Sequence, residues 1–224
     1  MKNNNFVIIT KKFWLKKNFN IINKKNFKIY KKINIKLIKK NKPKIVFFIH
    51  WSKKIPKNLY KNFLCVQFHP TNLPFGRGGS PIQNLILKSF KKTTVTAFKV
   101  EKKIDSGDII LKKKMSLSGS AQEIFIRLEK LSLKMIMKIS KSKIRPVKQI
   151  GRSTLFKRRK PIESNILRAR LSSINNVYNF IRMLDAEDYP KAFINFDNFK
   201  IILNNARKKK NKVYISGVIK NNDN

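Results

Sequence analysis

The sequence predicts an α/β fold, with a mainly parallel sheet followed by a small C-terminal α+β unit. Three observations predict it. Residues 44–50 (KIVFFIH) and 64–69 (LCVQFH) are nearly continuous apolar runs, as expected of parallel strands covered on both faces. A loop rich in Pro and Gly, residues 70–79, leads from the second run into a helix start at Ser80-Pro81, and strand followed by helix is the rhythm of parallel sheets. Near the end, residues 191–196, 199–204 and 213–219 read as short strands behind one helix, a small unit of their own.

Taken in order, residues 6–10 (FVIIT) read as a first buried strand. Residues 11–43 alternate Lys and Asn with Ile and Phe and have room for one short strand and one helix. No GxGxxG follows the first strand, which argues against a dinucleotide site. Pro56 suits the first turn of a short helix. At Ser80-Pro81 a hydroxyl cap precedes a proline at the first helical position, with a helix expected to about Phe90. Residues 93–101 are rich in β-branched residues and read as a strand, and 109–113 continue in that style after a turn at Asp105-Ser106-Gly107. Ser120 and Glu123 form a capping box, and Ile124, Leu128, Leu131 and Met135 then share one helical face as core packing. Residues 172–185 hold a further helix, with Val177, Ile181 and Leu184 on one face. The expected division is a catalytic domain at 1–145, a connector at 146–170 and a small C-terminal unit at 171–224.

With 224 residues and 42% hydrophobic content the chain buries a real core, which excludes a disordered tail protein. Its 53 Lys and Arg against 11 Asp and Glu give a formal charge of +42. A polyanionic partner, such as RNA or an anionic membrane, is one explanation. Compositional drift is the favoured one, because Lys, Asn, Ile and Phe share A/T-rich codons and the lysines are spread along the whole chain. Either way, such a field attracts phosphate-bearing substrates. Cys65 is the only cysteine, so no internal disulfide or cysteine-based metal site is available, and no metal is expected. Lying in an apolar run, Cys65 reads as a buried strand thiol. The start, Met1-Lys2-Asn3-Asn4-Asn5, precedes an apolar run too short for a signal peptide, and no stretch approaches membrane-spanning length. A cytoplasmic setting is expected, with no membrane partner.

His50 and His69, the only histidines, each close an apolar strand. Ligands bind open parallel sheets outside the carboxyl ends of their strands, so this edge is where a site belongs. Asp105 follows a later strand in the tight turn Ile104-Asp105-Ser106-Gly107-Asp108. Ordinary turn chemistry explains an Asp there, but a carboxylate facing the same edge as His69 would also orient its imidazole. Gln67, two residues before His69, points to the same side of its strand and offers an amide donor for a developing oxyanion.

The segment Phe68-His69-Pro70-Thr71-Asn72-Leu73-Pro74-Phe75-Gly76-Arg77-Gly78-Gly79-Ser80-Pro81-Ile82-Gln83 resembles the N-x-H…LP…RG…PI signature of folate-dependent formyltransferases. Ile104-Asp105-Ser106-Gly107-Asp108-Ile109 resembles that family's second motif, and the separation of 36 residues from His69 to Asp105 matches it. Phe47-Phe48-Ile49-His50-Trp51-Ser52, followed by Ile55-Pro56, is similar to the loop lining the pterin pocket. Phe156-Lys157-Arg158-Arg159-Lys160-Pro161 resembles the connector of the sugar-modifying and related branch. Phe180-Ile181-Arg182-Met183-Leu184-Asp185 and Tyr189-Pro190-Lys191-Ala192-Phe193 resemble the C-terminal IRAL…YPGAF pattern. The likeness covers about residues 44 to 195. One position departs from it: Gln67 stands where the family has Asn.

The resemblance implies a Rossmann-like formyltransferase fold and an enzyme that moves the formyl group of 10-formyltetrahydrofolate to an amine. It implies catalytic roles for His69, Asp105 and Gln67, and donor-binding roles for His50, Trp51, Ser52, Leu73, Pro74 and Asp105. Arg77, Gly78 and Tyr189 are expected at the acceptor. The connector and the Tyr189-Pro190 segment point to an amino sugar on a nucleotide carrier, a small phosphate-bearing amine. Methionyl-tRNA is the alternative acceptor, which would make tRNA a partner. A second alternative is an inactive homologue serving as a binding protein, which Gln67 favours. A homodimer is compatible with the sequence.

Overall fold

The computed structural model describes residues 6–11, 13–14, 20–22 and 26–222. The opening segment Met1-Lys2-Asn3-Asn4-Asn5, and part of the stretch 11–43, lie outside them. The chain divides into two compact units. The first comprises Met1–Gly79, Thr93–Met115 and Ile126–Phe156, and the second Ser80–Lys92, Ser116–Phe125 and Lys157–Asn224. The expected connector thus contributes to both, with residues 146–156 in the first and 157–170 in the second.

The first unit is built on a six-stranded sheet. Its strands are β1 (Phe6–Ile9), β2 (Phe27–Tyr30), β3 (Ile45–Phe48), β4 (Leu64–His69), β6 (Lys92–Lys99) and β7 (Ile109–Ser116), in the order β2-β1-β3-β4-β6-β7. The first four are mutually parallel, and β6 runs antiparallel to β4. Crossovers α1 (Ile35–Asn41) and α2 (Lys57–Asn62) make the parallel pairing geometrically possible. α1 starts where the Asn34 side chain accepts the Leu37 N–H at 3.0 Å and stops where Lys42 turns left-handed.

Side chains alternate across the strands, so each apolar run serves two layers. One face gathers Val7, Ile9, Val46, Phe48 and Cys65 against Ile38, Ile55 and Leu59. The other carries Phe6, Phe47 and Phe68, with Phe6 stacked on Phe27 at 5.1 Å between centroids. Phe47 and Phe48 are both fully buried, and each such ring contributes about 2–3 kcal/mol by leaving water. Because the run is buried on both sides, the sheet leaves only its ends and loops for chemistry.

The remaining elements are β5 (Arg77–Gly78), α3 (Pro81–Leu87), α4 (Ala121–Lys141), β8 (Leu155–Phe156), α5 (Ile174–Arg182), β9 (Ala192–Phe196), β10 (Phe199–Lys209) and β11 (Lys212–Asn221). α3 ends at Leu87, earlier than expected, and Ser80 does not cap it with its hydroxyl. Ser80 sits at φ 47, and its Oγ accepts the Arg159 N–H at 3.1 Å instead. The Ser120–Glu123 capping box forms as expected, with Ser120 N–H donating to Glu123 Oε2 at 2.8 Å and Glu123 N–H donating to Ser120 Oγ at 3.3 Å.

In the second unit, β11, β10 and β9 form an antiparallel sheet in that order. β10 and β11 run longer than their apolar cores suggested. Pairing continues through the basic tip to Lys209 and Lys212, across an irregularity between Asn204 and Arg207. Backbone ladder bonds sustain that extension, and they do not depend on apolar side chains. Arg182 of α5 is buried, with Nη1 donating to the Leu117 and Gly119 carbonyls at 2.7 and 2.8 Å and Nε donating to Asn179 at 2.9 Å.

Candidate active site

His69 is the last residue of β4, and its ring is held from two sides. Nε2 lies 2.7 Å from the Gly76 carbonyl, and Nδ1 lies 3.6 Å from Asp105 Oδ2. A carbonyl only accepts, so Nε2 carries a hydrogen in this arrangement. Nδ1 is then the ring atom that can take or pass a proton, facing a carboxylate. Both side chains are buried. Asp105 is itself fixed, because Oδ2 accepts the Gly78 N–H at 2.8 Å. The expected meeting of His69 and Asp105 at one sheet edge is therefore present in the structure.

Two loops deliver these groups. The 70–79 loop is pinned by Thr93 and Thr96, whose hydroxyls donate to the Pro70 and Thr71 carbonyls at 2.9 and 2.7 Å. Lys112 Nζ donates to Asn72 Oδ1 and the Leu73 carbonyl at 2.6 and 2.7 Å, and burial pulls its ammonium below the usual lysine range. Gly76 and Arg77 are held from the other side by Thr154, and β5 pairs with β8. In the 105–108 turn, a Cβ at Gly107 would lie 1.8 Å from the Lys99 carbonyl oxygen, so the backbone passes where only glycine fits.

Gln149 joins the two loops, and nothing in its irregular basic surroundings marks it out. Its Oε1 accepts from Arg77 Nε and Nη2 at 3.3 and 2.7 Å. Its Nε2 donates to the carbonyls of Asp105 and Gly107 at 2.9 and 2.8 Å. Arg77, expected at the acceptor, thus spends two donors on Gln149. A sequence signal for such a residue would require knowing that residue 149 returns to the sheet edge.

Of the other expected site residues, Gln67 Nε2 donates to the Trp51 carbonyl at 3.1 Å. An amide nitrogen carries two hydrogens, so this bond uses one and leaves one. His50 follows β3 at φ 49 with Trp14 edge-on at 6.1 Å. Burial pushes its imidazole down to about 4, which keeps it neutral near pH 7. The Trp51 ring packs against the core cluster, and its Nε1 is buried without a hydrogen-bond partner among the described residues. Ser52 is exposed, whereas Leu73 and Pro74 are buried and joined by a cis peptide. Cys65 is buried too, and burial pushes its thiol up to about 12, away from the thiolate form that a nucleophile needs.

Tyr189 belongs to the second unit. Burial raises its phenol, an effect that a bond to Ser80 and the charges of Arg159 and Arg158 oppose. Its ring lies 6.2 Å from that of Phe125. Among the described residues no group of three or more His, Cys, Asp or Glu is placed to hold a metal ion, and no helix is long and apolar enough to cross a membrane.

Comparison with known proteins places this geometry in context. A family model described as "Formyl transferase" matches residues 5–136, and one described as "Methionyl-tRNA formyltransferase, C-terminal domain" matches residues 161–220. A solved structure of methionyl-tRNA formyltransferase from Clostridium thermocellum is 39% identical with a TM-score of 0.91, covering 97% of this chain and 99% of that one. A methionyl-tRNA formyltransferase from Caldicellulosiruptor saccharolyticus is 28% identical over 145 residues, which are 62% of this chain and 46% of that protein. The chain spans about half the length of the curated relatives it matches. A 4-N formyltransferase from Francisella tularensis is 18% identical with a TM-score of 0.66, covering 87% of this chain and 93% of that one, a likeness of fold alone. These findings overturn the expected amino-sugar acceptor. The Tyr189-Pro190 segment that suggested it lies within the match to the methionyl-tRNA formyltransferase C-terminal domain, and the 39% identity far exceeds that to the Francisella protein.

Proposed function

This chain belongs to the formyl transferase family, and on that premise we propose that it moves a formyl group from 10-formyltetrahydrofolate to the amine of methionyl-tRNA. The observation that carries the reading is the buried His69–Asp105 pair at 3.6 Å, held at the end of a parallel strand by loops that share the Gln149 clamp. The similarity to the Clostridium thermocellum enzyme supports methionyl-tRNA as acceptor.

The residues present suit a pterin. Trp51 brings a buried indole N–H that lacks an acceptor among the described residues, and His50 brings a neutral imidazole. A pterin ring is rich in acceptor atoms. When bound, the folate supplies a formyl carbon open to attack by an amine. As negative charge grows on the formyl oxygen, Gln67 turns its remaining amide hydrogen towards it. His69 exchanges the Gly76 carbonyl for the same oxygen, so its Nε2–H donates to the developing charge. Asp105 keeps the ring aligned and takes the amine proton directly or through water, and that proton passes to the folate nitrogen as its bond to the formyl carbon breaks, which releases tetrahydrofolate and restores the carboxylate. Gly76 and Gly78 hold positive φ, and a Cβ at either would press on Phe156, so the loop keeps this path only with glycine there.

The test uses the full chain, radiolabelled 10-formyltetrahydrofolate and initiator methionyl-tRNA, with acid-stable label counted on the tRNA. Label on the methionyl amine is the expected result. Label absent from tRNA, although a stable folate analogue binds, would overturn the acceptor assignment.

A further inference from the structure

The second unit contains a cavity of about 340 Å³ lined by Leu87, Arg159, Ile162, Arg168, Arg170 and Phe180, among others. The sequence around it departs from the rest of the chain. Arg152, Arg158, Arg159, Arg168 and Arg170 fall within nineteen residues, although the whole chain has only ten arginines among its 53 basic residues. Codon drift that fills a chain with lysine does not account for three arginines lining one concavity. Arginine is the residue that grips phosphate with a planar fork of donors.

Arg159 shows an unmet need. Its guanidinium lies 5.6 Å from the centroid of the Phe180 ring, and Nη2 donates to the Glu163 carbonyl. Its Nε is buried and has no hydrogen-bond partner among the described residues. A buried donor left unmade is costly, more so on a charged group. Burial pulls the guanidinium below its usual range, and the charges of Glu163 and Tyr189 only partly offset this. Glu163 is the one carboxylate lining the cavity, and its Oε2 already accepts the Lys160 N–H. The cavity therefore offers three guanidinium groups against one engaged carboxylate.

We infer that this cavity is a binding site for a phosphate ester, gripped by Arg159, Arg168 and Arg170, none of which takes part in the proposed His69–Asp105 chemistry. The phosphate can come from a free nucleotide or from an RNA chain. The inference does not depend on which amine is formylated.

The experiment is calorimetry of adenosine 5′-phosphate against adenosine, at matched ionic strength, with the full chain and with an Arg168→Ala/Arg170→Ala variant. Both side chains are exposed, so the variant should fold. An Arg159→Lys variant keeps the charge but removes the fork. Wild type should bind the phosphate and not the nucleoside, and both variants should weaken binding roughly tenfold or more. The same variants in filter binding with tRNA at about 0.15 M salt separate the sources. A matching loss for tRNA assigns the site to RNA phosphate, and unchanged tRNA binding assigns it to a free nucleotide. Equal binding of adenosine and its phosphate, or variants indistinguishable from wild type with both ligands, would overturn the inference. Formyl transfer and folate-analogue binding, measured in parallel, report on the proposed activity independently.

Discussion

At Gln67 one amide hydrogen is held by the Trp51 carbonyl, and on the proposed mechanism the other meets the formyl oxygen. Losing one such donor typically costs about 2.7–4 kcal/mol in the transition state, so Gln67→Ala should slow turnover by roughly two to three orders of magnitude. Steady-state kinetics of formyl transfer checks this, and Gln67→Asn should retain or raise the rate. His50 sets a pH limit on stability. Its folded pKa of about 4 lies below the ordinary value of 6.5, so the folded state binds fewer protons between the two. The contribution is complete above about pH 6.5 and is lost as pH falls towards 4, amounting to roughly 3 kcal/mol. Urea midpoints measured from pH 7 to pH 4.5 should fall in wild type and fall less in His50→Gln. Gly107 is restricted by space, because any Cβ there meets the Lys99 carbonyl. Gly107→Ala should cost about 3 kcal/mol, read as a lower urea midpoint, or else displace the Asp105 turn.

Among the elements, two loops depend on one side chain. Gln149 accepts from Arg77 and donates to the Asp105 and Gly107 carbonyls. Gln149→Glu keeps the acceptor for Arg77 and loses both donors to the turn. It should lower kcat by roughly tenfold to a hundredfold through misplacement of Asp105, with a much smaller change in KM for the folate. Equal losses in kcat and in thermal stability, with no such split, would mean that Gln149 only supports the fold. The start of α4 is simpler. Its capping box satisfies two backbone donors, so Ser120→Ala should cost about 1 kcal/mol in urea unfolding and leave turnover unchanged.

Across the whole molecule, the +42 charge acts as a long-range field and says little about fold. Such a field binds any RNA at low salt and weakens steeply as salt rises. With methionyl-tRNA as the proposed acceptor, the expected result is a preference for initiator over elongator tRNA that persists at about 0.15 M salt. Filter binding at two salt concentrations measures it. Equal and salt-labile affinity for both tRNAs would reduce the lysines to an indiscriminate field.

The sequence by itself determined the strands 6–10, 44–50 and 64–69, because an apolar run buried on both faces has few other readings. It also marked His69, Asp105 and the glycine loops, since their motifs sit at strand ends and in turns where local chemistry is legible. The family likeness followed from those residues, but the acceptor did not. Residues that bind an acceptor are spread over surfaces that no local pattern describes, and similarity to known enzymes was needed to correct it. Only the tertiary structure decided that β6 runs antiparallel to β4, since strand direction leaves no trace in side-chain alternation. Only it showed Ser80 Oγ bonded to Arg159 and away from its helix, because the competing donor comes from 79 residues away. Gln149 and the cavity at Arg159 were hidden for the same reason. Their partners are neighbours in space and distant in sequence, and a one-dimensional pattern carries no record of where the chain returns.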